Sequence, residues 1–345
     1  MACWPGTMSQ FDGQDGIAQV GATASKLAWK KTDLKRGGAS KTMEFQAVAR
    51  YLGSLEENPE LRCKDHLGVD FITTPYRMLC YFPVTARRIY EKAAPGVYAY
   101  SICRARLGDL TFESFLQKSI AERRASQIVN LSGGFCTRFE RYRDELVASE
   151  CTYIELDLPA SQQLKISLAQ KAGYTNIGNC HFVEIDYSTD NLQRKLCNEC
   201  KACFDSQKQT LVLWEGVAMY LTEGQVDEVL SFIRSNLPKG TVLQFDSVSP
   251  ELIEKEGDID GYGNREGYAA LKKKGEPFLS GVPSDDKWFA ARGFVVEETW
   301  DEQRRDRDIL KGAYKSIECF TIWRVRLENP AIGLQVCGNA LKNEF

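Results

Sequence analysis

QIVNLSGGFCTR, the stretch Gln127–Arg138, decides the fold of this chain. Its mostly apolar run Ile128–Leu131 is of the kind that forms a buried parallel strand. The run then breaks into Ser132–Gly134, and glycines at such a point let a ligand approach the backbone while the next helix offers free N–H groups. Taken alone, this loop predicts either a ligand-binding loop or an ordinary tight turn between a strand and a helix.

Later apolar runs end near acidic residues at regular spacing. These residues are Asp157, Asp186, Glu215 and Asp246. Counted from Leu131, they follow at steps of 26, 29, 29 and 31 residues, which is the length of one strand and one crossover helix. The spacing predicts an α/β fold with a doubly wound, mostly parallel sheet whose strand ends meet at one edge. Several carboxylates at one edge indicate a ligand that carries hydrogen-bond donors or positive charge.

The composition excludes several classes of protein. With 345 residues, the chain can form one α/β domain with an added cap. A net charge of −3 and the lack of a long basic run argue against nucleic acid binding. The sequence contains no apolar span of transmembrane length and no signal-like N-terminus, so we expect a soluble cytoplasmic protein that does not bind membranes. Its twelve cysteines then predict reduced thiols.

Several helices and strands are predicted outside the central motif. Helical patterns cover Thr42–Leu61, two or three segments within Tyr76–Leu116, Ser161–Gly173 and Thr222–Leu237, the last with a capping box of Thr222 and Gln225. The segment Gly257–Pro283 shows no strong period and predicts an insertion or a lid. Gly293–Glu298 and Ile317–Val325 predict a final antiparallel pair of strands.

The glycine loop differs from the dinucleotide pattern G-x-G-x-x-G, because Thr137 stands at the third glycine position. A nucleoside without phosphates needs less of that loop. It needs a close backbone approach, a carboxylate for the ribose hydroxyls and an acceptor near the adenine amine. S-adenosylmethionine meets this requirement, and its sulfonium and ammonium groups account for acidic residues at the edge.

Four segments resemble motifs of the leucine carboxyl methyltransferase family. IVNLSGGFCTRF resembles its VVNLGAGFDTRF-type motif, and YIELDLP at Tyr153–Pro159 resembles F-E-V-D-x-P. VEIDYSTD resembles the segment with the adenine-side aspartate, and LVLWEGVAMYLT resembles L-L-I-A-E-x-x-x-x-Y-L. With the upstream RAR at 104–106, the resemblance covers approximately residues 40–325. It implies a Rossmann-like class I methyltransferase fold, with a seven-stranded sheet and an N-terminal helical cap.

The resemblance also implies roles for matching positions. The implied cofactor-binding residues are Ser132, Gly133 and Gly134 at the methionine part, Asp157 at the ribose, Asp186 and Tyr187 at the adenine, Glu215 near the amino group, and Arg104 at the carboxylate. Substrate-side candidates are Arg106, Arg138 and Tyr220, and no catalytic residue is assigned. Glu155 competes with Asp157 for the ribose, because side chains two residues apart share a face of a strand.

Two departures from the family pattern lie in the loop. Ser132 replaces the first glycine and Cys136 replaces an aspartate, so a weakened or non-catalytic homologue stays open. In chain order we predict a mobile arm (1–38), a helical cap (39–126), an S-adenosylmethionine-binding methyltransferase core (127–328) and a C-terminal tail (329–345).

Methyl transfer by direct displacement narrows the acceptor. A carboxylate is ionised at neutral pH and needs no general base, and the two histidines, His66 and His181, lie outside the matched catalytic motifs. We therefore predict transfer to a carboxylate of a small molecule or, less favoured, of a protein C-terminus. The alternatives are S- or N-methylation of a small metabolite, a non-catalytic cofactor-binding homologue, and a nicotinamide-dependent oxidoreductase, which the loop disfavours.

The cysteines in CNECKACF, Cys197, Cys200 and Cys203, invite a metal-site interpretation. No fourth cysteine follows at the ferredoxin-like spacing, where Gln207 stands instead. We predict that they bind no metal.

Overall fold

The computed structural model describes residues 38–174 and 178–328. The predicted N-terminal arm, apart from Gly38, and the predicted C-terminal tail lie outside these ranges. The predicted boundaries between arm, cap, core and tail stay predictions.

Seven strands within the described residues form one mixed sheet. They are β1 (Ser126–Asn130), β2 (Thr152–Asp157), β3 (Cys180–Glu184), β4 (Gln209–Trp214), β5 (Val242–Val248), β6 (Phe294–Trp300) and β7 (Phe320–Leu327). Their order is β3-β2-β1-β4-β5-β7-β6. Strands β1 to β5 are parallel, and β7 runs antiparallel to both β5 and β6. The predicted doubly wound sheet and its final antiparallel pair are confirmed, with the switch point between β1 and β4.

The described ranges contain α-helices that flank the sheet. They are α1 (Gly38–Ser54), α2 (Thr74–Cys80), α3 (Pro83–Ala93), α4 (Val97–Glu122), α5 (Arg138–Arg141), α6 (Arg143–Ala148), α7 (Pro159–Lys171), α8 (Glu223–Asn236), α9 (Pro250–Glu254), α10 (Asn264–Lys274), α11 (Asp286–Ala291) and α12 (Glu302–Arg304). Short 3₁₀ or π turns occupy His66–Phe71, Gln193–Glu199, Ala218–Tyr220 and Arg305–Ile309.

The helices before β1 follow the predicted pattern with one shorter element. The expected apolar face of α1 is buried at Val48, Ala49 and Leu52. The helix ends at Ser54 rather than Leu61, and the chain turns back so that the N–H of Cys63 donates to the Gly53 carbonyl at 3.0 Å. A side chain at Gly53 would collide with Ile102 of α4, 2.5 Å from an ideal Cβ, so this turn is fixed by packing.

Local signals fix other helix ends. The capping box of Thr222 and Gln225 is present at the start of α8. The segment Gly257–Pro283 contains the helix α10, and its interpretation as an insertion or a lid stays a prediction. The helix sequence, NREGYAALKKK, carries few apolar residues, and Gly263 and Gly275 adopt positive φ at its two ends. Such a short, polar helix gives a weak periodic signal.

Two apolar cores enclose the sheet. Ile128 packs with α1 and α4 on one face, whereas its neighbour Val129 belongs to the core under α8 on the other. Leu213 and Trp214 of β4 divide between the two cores in the same way. Burial on both faces explains why these strands are continuous apolar runs in the sequence.

Candidate functional site

The loop after β1 lies at the carboxyl end of β2. The backbone at Gly133 leaves no room for a side chain, since an ideal Cβ would lie 2.3 Å from the Glu155 carboxyl carbon. Gly134 has φ +45°, and the nearest atoms to its ideal Cβ belong to Met43 of α1 at 3.6 Å. The loop is therefore tight on the sheet side and reached from the side of α1.

Asp157, the last residue of β2, holds this loop. Its Oδ2 accepts the Gly134 N–H at 2.5 Å and its Oδ1 accepts the Leu158 N–H at 2.7 Å. Burial raises the pKa of Asp157, and these two backbone donors partly oppose that rise. A carboxylate has about four acceptor sites, so it can take further donors beside these two.

Glu155, the competing ribose candidate, is paired with other side chains of the protein. It is fully buried and forms an ion pair with the buried ammonium of Lys165 on α7. Its Oε2 also accepts from the Tyr153 hydroxyl at 2.9 Å. Burial raises the pKa of Glu155, which Lys165 opposes. The two carboxylates on β2 thus differ in surroundings, because only Asp157 accepts a hydrogen bond from the loop.

Ser132 joins the ends of β1 and β4. Its hydroxyl donates to the Glu215 carbonyl at 2.9 Å and accepts the Glu215 N–H at 3.0 Å. Glycine at this position would supply neither bond. The serine therefore fixes the loop against the strand that carries Glu215.

Glu215 ends a network of buried charges. Arg138 meets both its oxygens, at 2.7 and 3.2 Å, and donates from Nε to Asp109 of α4 at 2.8 Å. Arg141 donates to both oxygens of Asp109, at 2.8 and 2.9 Å. Burial alone would raise the pKa of Asp109, but Arg141 and Arg138 together hold it at about 2. The network connects the loop region to α4.

Cys136, where the family has an aspartate, lies next to this network. Its Sγ is 3.9 Å from Nη1 of Arg138. The neighbouring loop residues are held by other groups, since Arg50 of α1 donates to the Phe135 carbonyl at 2.7 Å and the Thr137 hydroxyl donates to Asp65 at 2.5 Å. The loop is thus anchored without a carboxylate at this position.

Arg104 reaches the same edge from α4. Its Nη1 lies 3.0 Å from Oδ2 of Asp246, and its Nη2 donates to Gln46 of α1 at 3.1 Å. Asp246 lies inside β5 rather than at its end, because β7 pairs alongside it and extends the strand to Val248. Arg106, about 200° further round the helix, donates instead to the Ile309 carbonyl at 2.8 Å.

The adenine-side candidates follow β3. Asp186 accepts the Ser188 N–H and hydroxyl on one oxygen, and these bonds lower its pKa. The Tyr187 hydroxyl donates to the Leu131 carbonyl at 2.9 Å, so its ring lies beside the end of β1. The Tyr187 carbonyl accepts from Gln225 of α8 at 2.9 Å, which connects this segment to the capping box.

Tyr220 lies beyond the end of β4. Its ring packs on Phe278 with centroids 5.4 Å apart. Burial raises its pKa, and the carboxylate of Glu276 raises it further, while Arg104 opposes both. Tyr220 and Arg104 therefore share one electrostatic environment.

The structure brings most of the predicted site residues to one edge. Direct hydrogen bonds connect Gly134 with Asp157, Ser132 with Glu215, and Glu215 with Arg138. Arg106 faces the segment before β7 instead. The roles of all these residues stay predictions.

A model of the family described as "Leucine carboxyl methyltransferase" matches residues 44–234, more than half of the chain. The chain belongs to the leucine carboxyl methyltransferase family. This family description agrees with the predicted class of enzyme and with the predicted cofactor, S-adenosylmethionine. It also sets aside the nicotinamide-dependent oxidoreductase.

One curated relative is YktD of Bacillus subtilis (strain 168), whose name describes an S-adenosyl-L-methionine-dependent methyltransferase. It is 30% identical over 159 residues, which are 45% of this chain and 49% of YktD. The chain thus matches about half the length of this relative.

Two solved structures resemble the chain over most of its length. A DUF574 family protein from Streptomyces avermitilis MA-4680 has a TM-score of 0.49 and 9% identity, covering 82% of this chain and 96% of that chain. A Thermobifida fusca YX protein described as a methyltransferase has a TM-score of 0.48 and 12% identity, covering 83% and 97%.

Sequence reasoning missed the charges that support the loop. Asp109 and Lys165 are 4% and 1% exposed, each on a helix face that packs on the sheet. The signal for Asp109 was its spacing with Ala105 and Phe112, which places a charge on an apolar stripe.

The described residues also enclose two cavities. One of about 590 Å³ is bounded by Lys64, Gln117 and Tyr142, and one of about 380 Å³ lies between α8 and Tyr187, the adenine-side candidate. Within the described ranges, no group of three or more His, Cys, Asp or Glu is arranged to hold a metal ion. None of the helices there combines the length and apolar character that crossing a membrane requires.

Proposed function

We propose that this protein transfers the methyl group of S-adenosylmethionine to a carboxylate, carried by a small molecule in preference to a protein C-terminus. The observation that carries the proposal is that no tyrosine or histidine among the described residues is a group poised to remove a proton at the strand-end edge at neutral pH. An acceptor that is already ionised needs no such group.

The tyrosines and histidines are unsuited as bases at this edge. Burial raises the pKa values of Tyr100, Tyr187 and Tyr220, so these hydroxyls keep their protons. The two histidines lie elsewhere: His66 is in the exposed turn before α2, and His181 is the second residue of β3, three residues before that strand ends. Phenol and amine acceptors, which must lose a proton, are therefore less favoured than a carboxylate.

Three carboxylates of the edge accept from protein donors. Asp157 accepts two backbone N–H groups, and Glu215 accepts both arms of the Arg138 guanidinium. Asp246 accepts the Gly216 N–H at 2.6 Å and pairs with Arg104. Their charges are suited to binding the cofactor rather than to accepting a proton.

The charged and hydrogen-bonding groups at this edge fit S-adenosylmethionine. Asp157 would accept the ribose hydroxyls, Glu215 would meet the amino group, and Asp186 and Tyr187 would flank the adenine. The backbone of Ser132, Gly133 and Gly134 would pass close to the methionine part. Arg104, whose side chain is 12% exposed, would pair with the cofactor carboxylate through its planar guanidinium.

The buried position of Arg138 supports a positioning role rather than direct substrate contact. Its guanidinium is 3% exposed and meets Asp109, Glu215 and the Ala105 carbonyl. Arg138 would keep the Glu215 carboxylate at a fixed place. Tyr220 is then the better substrate-side candidate of the edge.

S-adenosylmethionine, when bound, supplies a methyl group on a positively charged sulfur that is already activated for displacement. The protein's own contribution is to align the acceptor oxygen with that methyl and to exclude water. The side chains of α1 that reach Gly134 and Arg104 cover the edge, which favours a small acceptor over a folded protein partner.

Incubation with methyl-labelled S-adenosylmethionine and a panel of carboxylic acids, phenols, thiols and amines tests the proposal. Methyl esters release labelled methanol in mild alkali, whereas aryl ethers, thioethers and methylamines do not. We expect alkali-labile product and a rate that stays flat between about pH 6 and pH 8, where a carboxylate is fully ionised.

Two outcomes would contradict the proposal in different ways. Alkali-stable product, formed faster as the pH rises, would indicate O-aryl, S- or N-methylation. Binding of S-adenosylhomocysteine without product from any acceptor would indicate a non-catalytic homologue, the alternative that Ser132 and Cys136 leave open.

A further inference from the structure

One face of α1 and the segment after α10 meet over the strand-end edge. Three neighbouring positions of α1 show this: Thr42 donates to Oε2 of Glu276 at 2.5 Å, Met43 lies next to Gly134, and Gln46 accepts from Arg104. Thr42 and Gln46 share a helix face because they are four residues apart. Glu276 therefore lies over the same edge as the glycine loop and Arg104.

The second oxygen of Glu276 is the unusual feature. Its Oε1 is buried and, within the described residues, has no hydrogen-bond partner. The Tyr220 hydroxyl makes no hydrogen bond to another described residue either, although the Glu276 charge contributes to its raised pKa after burial. Buried polar atoms are normally paired, so the unpaired Oε1 of Glu276 indicates a ligand that supplies its partner.

An aromatic cluster that includes Tyr220 begins two residues after Glu276 in the chain. Phe278 is 5% exposed and packs on Tyr220 and on Phe320, with ring centroids 5.4 and 5.8 Å apart. The Oε1 atom of Glu276 is itself buried, and a buried carboxylate oxygen is poorly hydrated and therefore binds a donor strongly.

We propose that Glu276 recognises the methyl acceptor, and that this acceptor carries a hydrogen-bond donor, a hydroxyl or a protonated amine, besides the carboxylate that is methylated. The inference rests on the proposed carboxylate methylation and adds the substrate class. Two carboxylates in contact repel each other, so the reacting carboxylate cannot be the group that meets Glu276. The donor of the acceptor meets Oε1, and the reacting carboxylate meets the Tyr220 hydroxyl.

This division of roles makes Glu276 a specificity residue. Transfer forms a bond between the acceptor oxygen and the methyl carbon and breaks the bond between that carbon and sulfur, whose electron pair stays on sulfur. No proton moves, so Glu276 is not required as a base. Its loss should affect acceptor binding in the ground state and the transition state alike, and hence KM more than kcat.

Two matched series of acids test the proposal, short straight-chain acids and phenyl-substituted acids, each as plain acid, hydroxy acid and amino acid. We expect the full-length protein to methylate the hydroxy and amino members with kcat/KM about tenfold or more above the plain members. Glu276→Ala should raise their KM about tenfold or more, with kcat changed less than about threefold. Glu276→Gln should keep the KM for the hydroxy acids and raise the KM for the amino acids, because glutamine keeps the acceptor oxygen and loses the negative charge.

Glu266 is an exposed carboxylate of α10, so Glu266→Gln is the matched control. This substitution should change neither KM nor kcat for any acid of the two series. S-adenosylhomocysteine affinity should be equal in all variants, which distinguishes acceptor recognition from a general loss of structure. Thr42→Ala should reproduce part of the KM effect, since it frees the other oxygen of Glu276.

Each other outcome overturns the inference. Ester formation with equal kcat/KM for plain and donor-bearing acids overturns it while leaving the proposed function intact. In Glu276→Ala, an equal loss of kcat/KM for plain and donor-bearing acids also overturns it. A lower affinity of that variant for S-adenosylhomocysteine does the same. No ester from any acid overturns the proposed function and the inference together.

Discussion

Replacing the two acidic residues of β2 one at a time should separate cofactor binding from fold stability. Asp157→Ala is expected to weaken S-adenosylhomocysteine binding, whereas Glu155→Gln is expected to destabilise the fold and leave the affinity unchanged. The two residues are two positions apart on one strand, so each variant is the matched control of the other.

The magnitudes follow from the partners of each carboxylate. Asp157 uses two acceptor sites for Gly134 and Leu158 and keeps others for the ribose hydroxyls. Hydrogen bonds to a charged group contribute about 1.5–3 kcal/mol, so Asp157→Ala should raise the Kd about 10- to 150-fold. Glu155→Gln leaves the ammonium of Lys165, which is 1% exposed, without its carboxylate, and breaking a buried pair in this way costs about 3–5 kcal/mol.

Calorimetric titration with S-adenosylhomocysteine gives the affinities, and urea unfolding gives the free energies of unfolding. Asp157→Ala should also lose about 1–3 kcal/mol of stability, because the Gly134 N–H loses its acceptor. The reasoning is refuted if Glu155→Gln abolishes binding while Asp157→Ala binds as tightly as the unmodified protein. The ribose ligand would then be Glu155, and its pairing with Lys165 would have to open on binding.

Further expectations concern the cap, the charge network, the loop and the cysteines. Arg104→Lys should raise the Kd for S-adenosylhomocysteine and Arg104→Ala should raise it further, whereas Arg106→Ala should leave it nearly unchanged. If calorimetry shows that Arg106→Ala loses binding while Arg104→Ala keeps it, the roles of the two arginines are exchanged. Because the pKa of Asp109 is about 2 in the fold against 3.8 normally, its stabilising effect is present above about pH 4 and is lost as the pH falls toward 2. At pH 7, urea unfolding should show the Asp109→Asn variant to be about 2 kcal/mol or more less stable than the unmodified protein. This difference in the free energy of unfolding should become smaller as the pH falls from about 4 toward 2, and a difference that stays constant would contradict the reasoning. Ser132→Ala, which removes both bonds to Glu215, should cost about 1–2 kcal/mol of stability, and an unchanged urea midpoint would exclude the role given to that hydroxyl. The twelve cysteines should bind no stoichiometric metal, and one zinc or iron per purified chain in elemental analysis would overturn that expectation.

Local sequence patterns were sufficient for the sheet and for the position of the loop. The near-constant spacing of the apolar runs predicted the crossover units, and the run into Ser132–Gly134 located the end of β1. The capping box at Thr222 fixed the start of α8. These features depend on neighbours a few residues apart, where periodicity and backbone preferences act directly. The polar helix α10 was not predicted from the sequence, because it lacks a strong apolar stripe.

The tertiary structure alone decided which of the charged side chains pair with one another inside the fold. Glu155 and Asp157 compete for one role in the sequence, and they differ in the fold because α7 brings Lys165 against Glu155 whereas Gly134 and Leu158 donate to Asp157. Arg138 is a substrate-side candidate in the sequence, and only packing encloses it between Asp109 and Glu215. Glu276 and Thr42 are 234 residues apart, and no local pattern connects them. Ion pairs and hydrogen bonds between distant elements depend on how those elements pack, so a single sequence does not contain them as a readable signal.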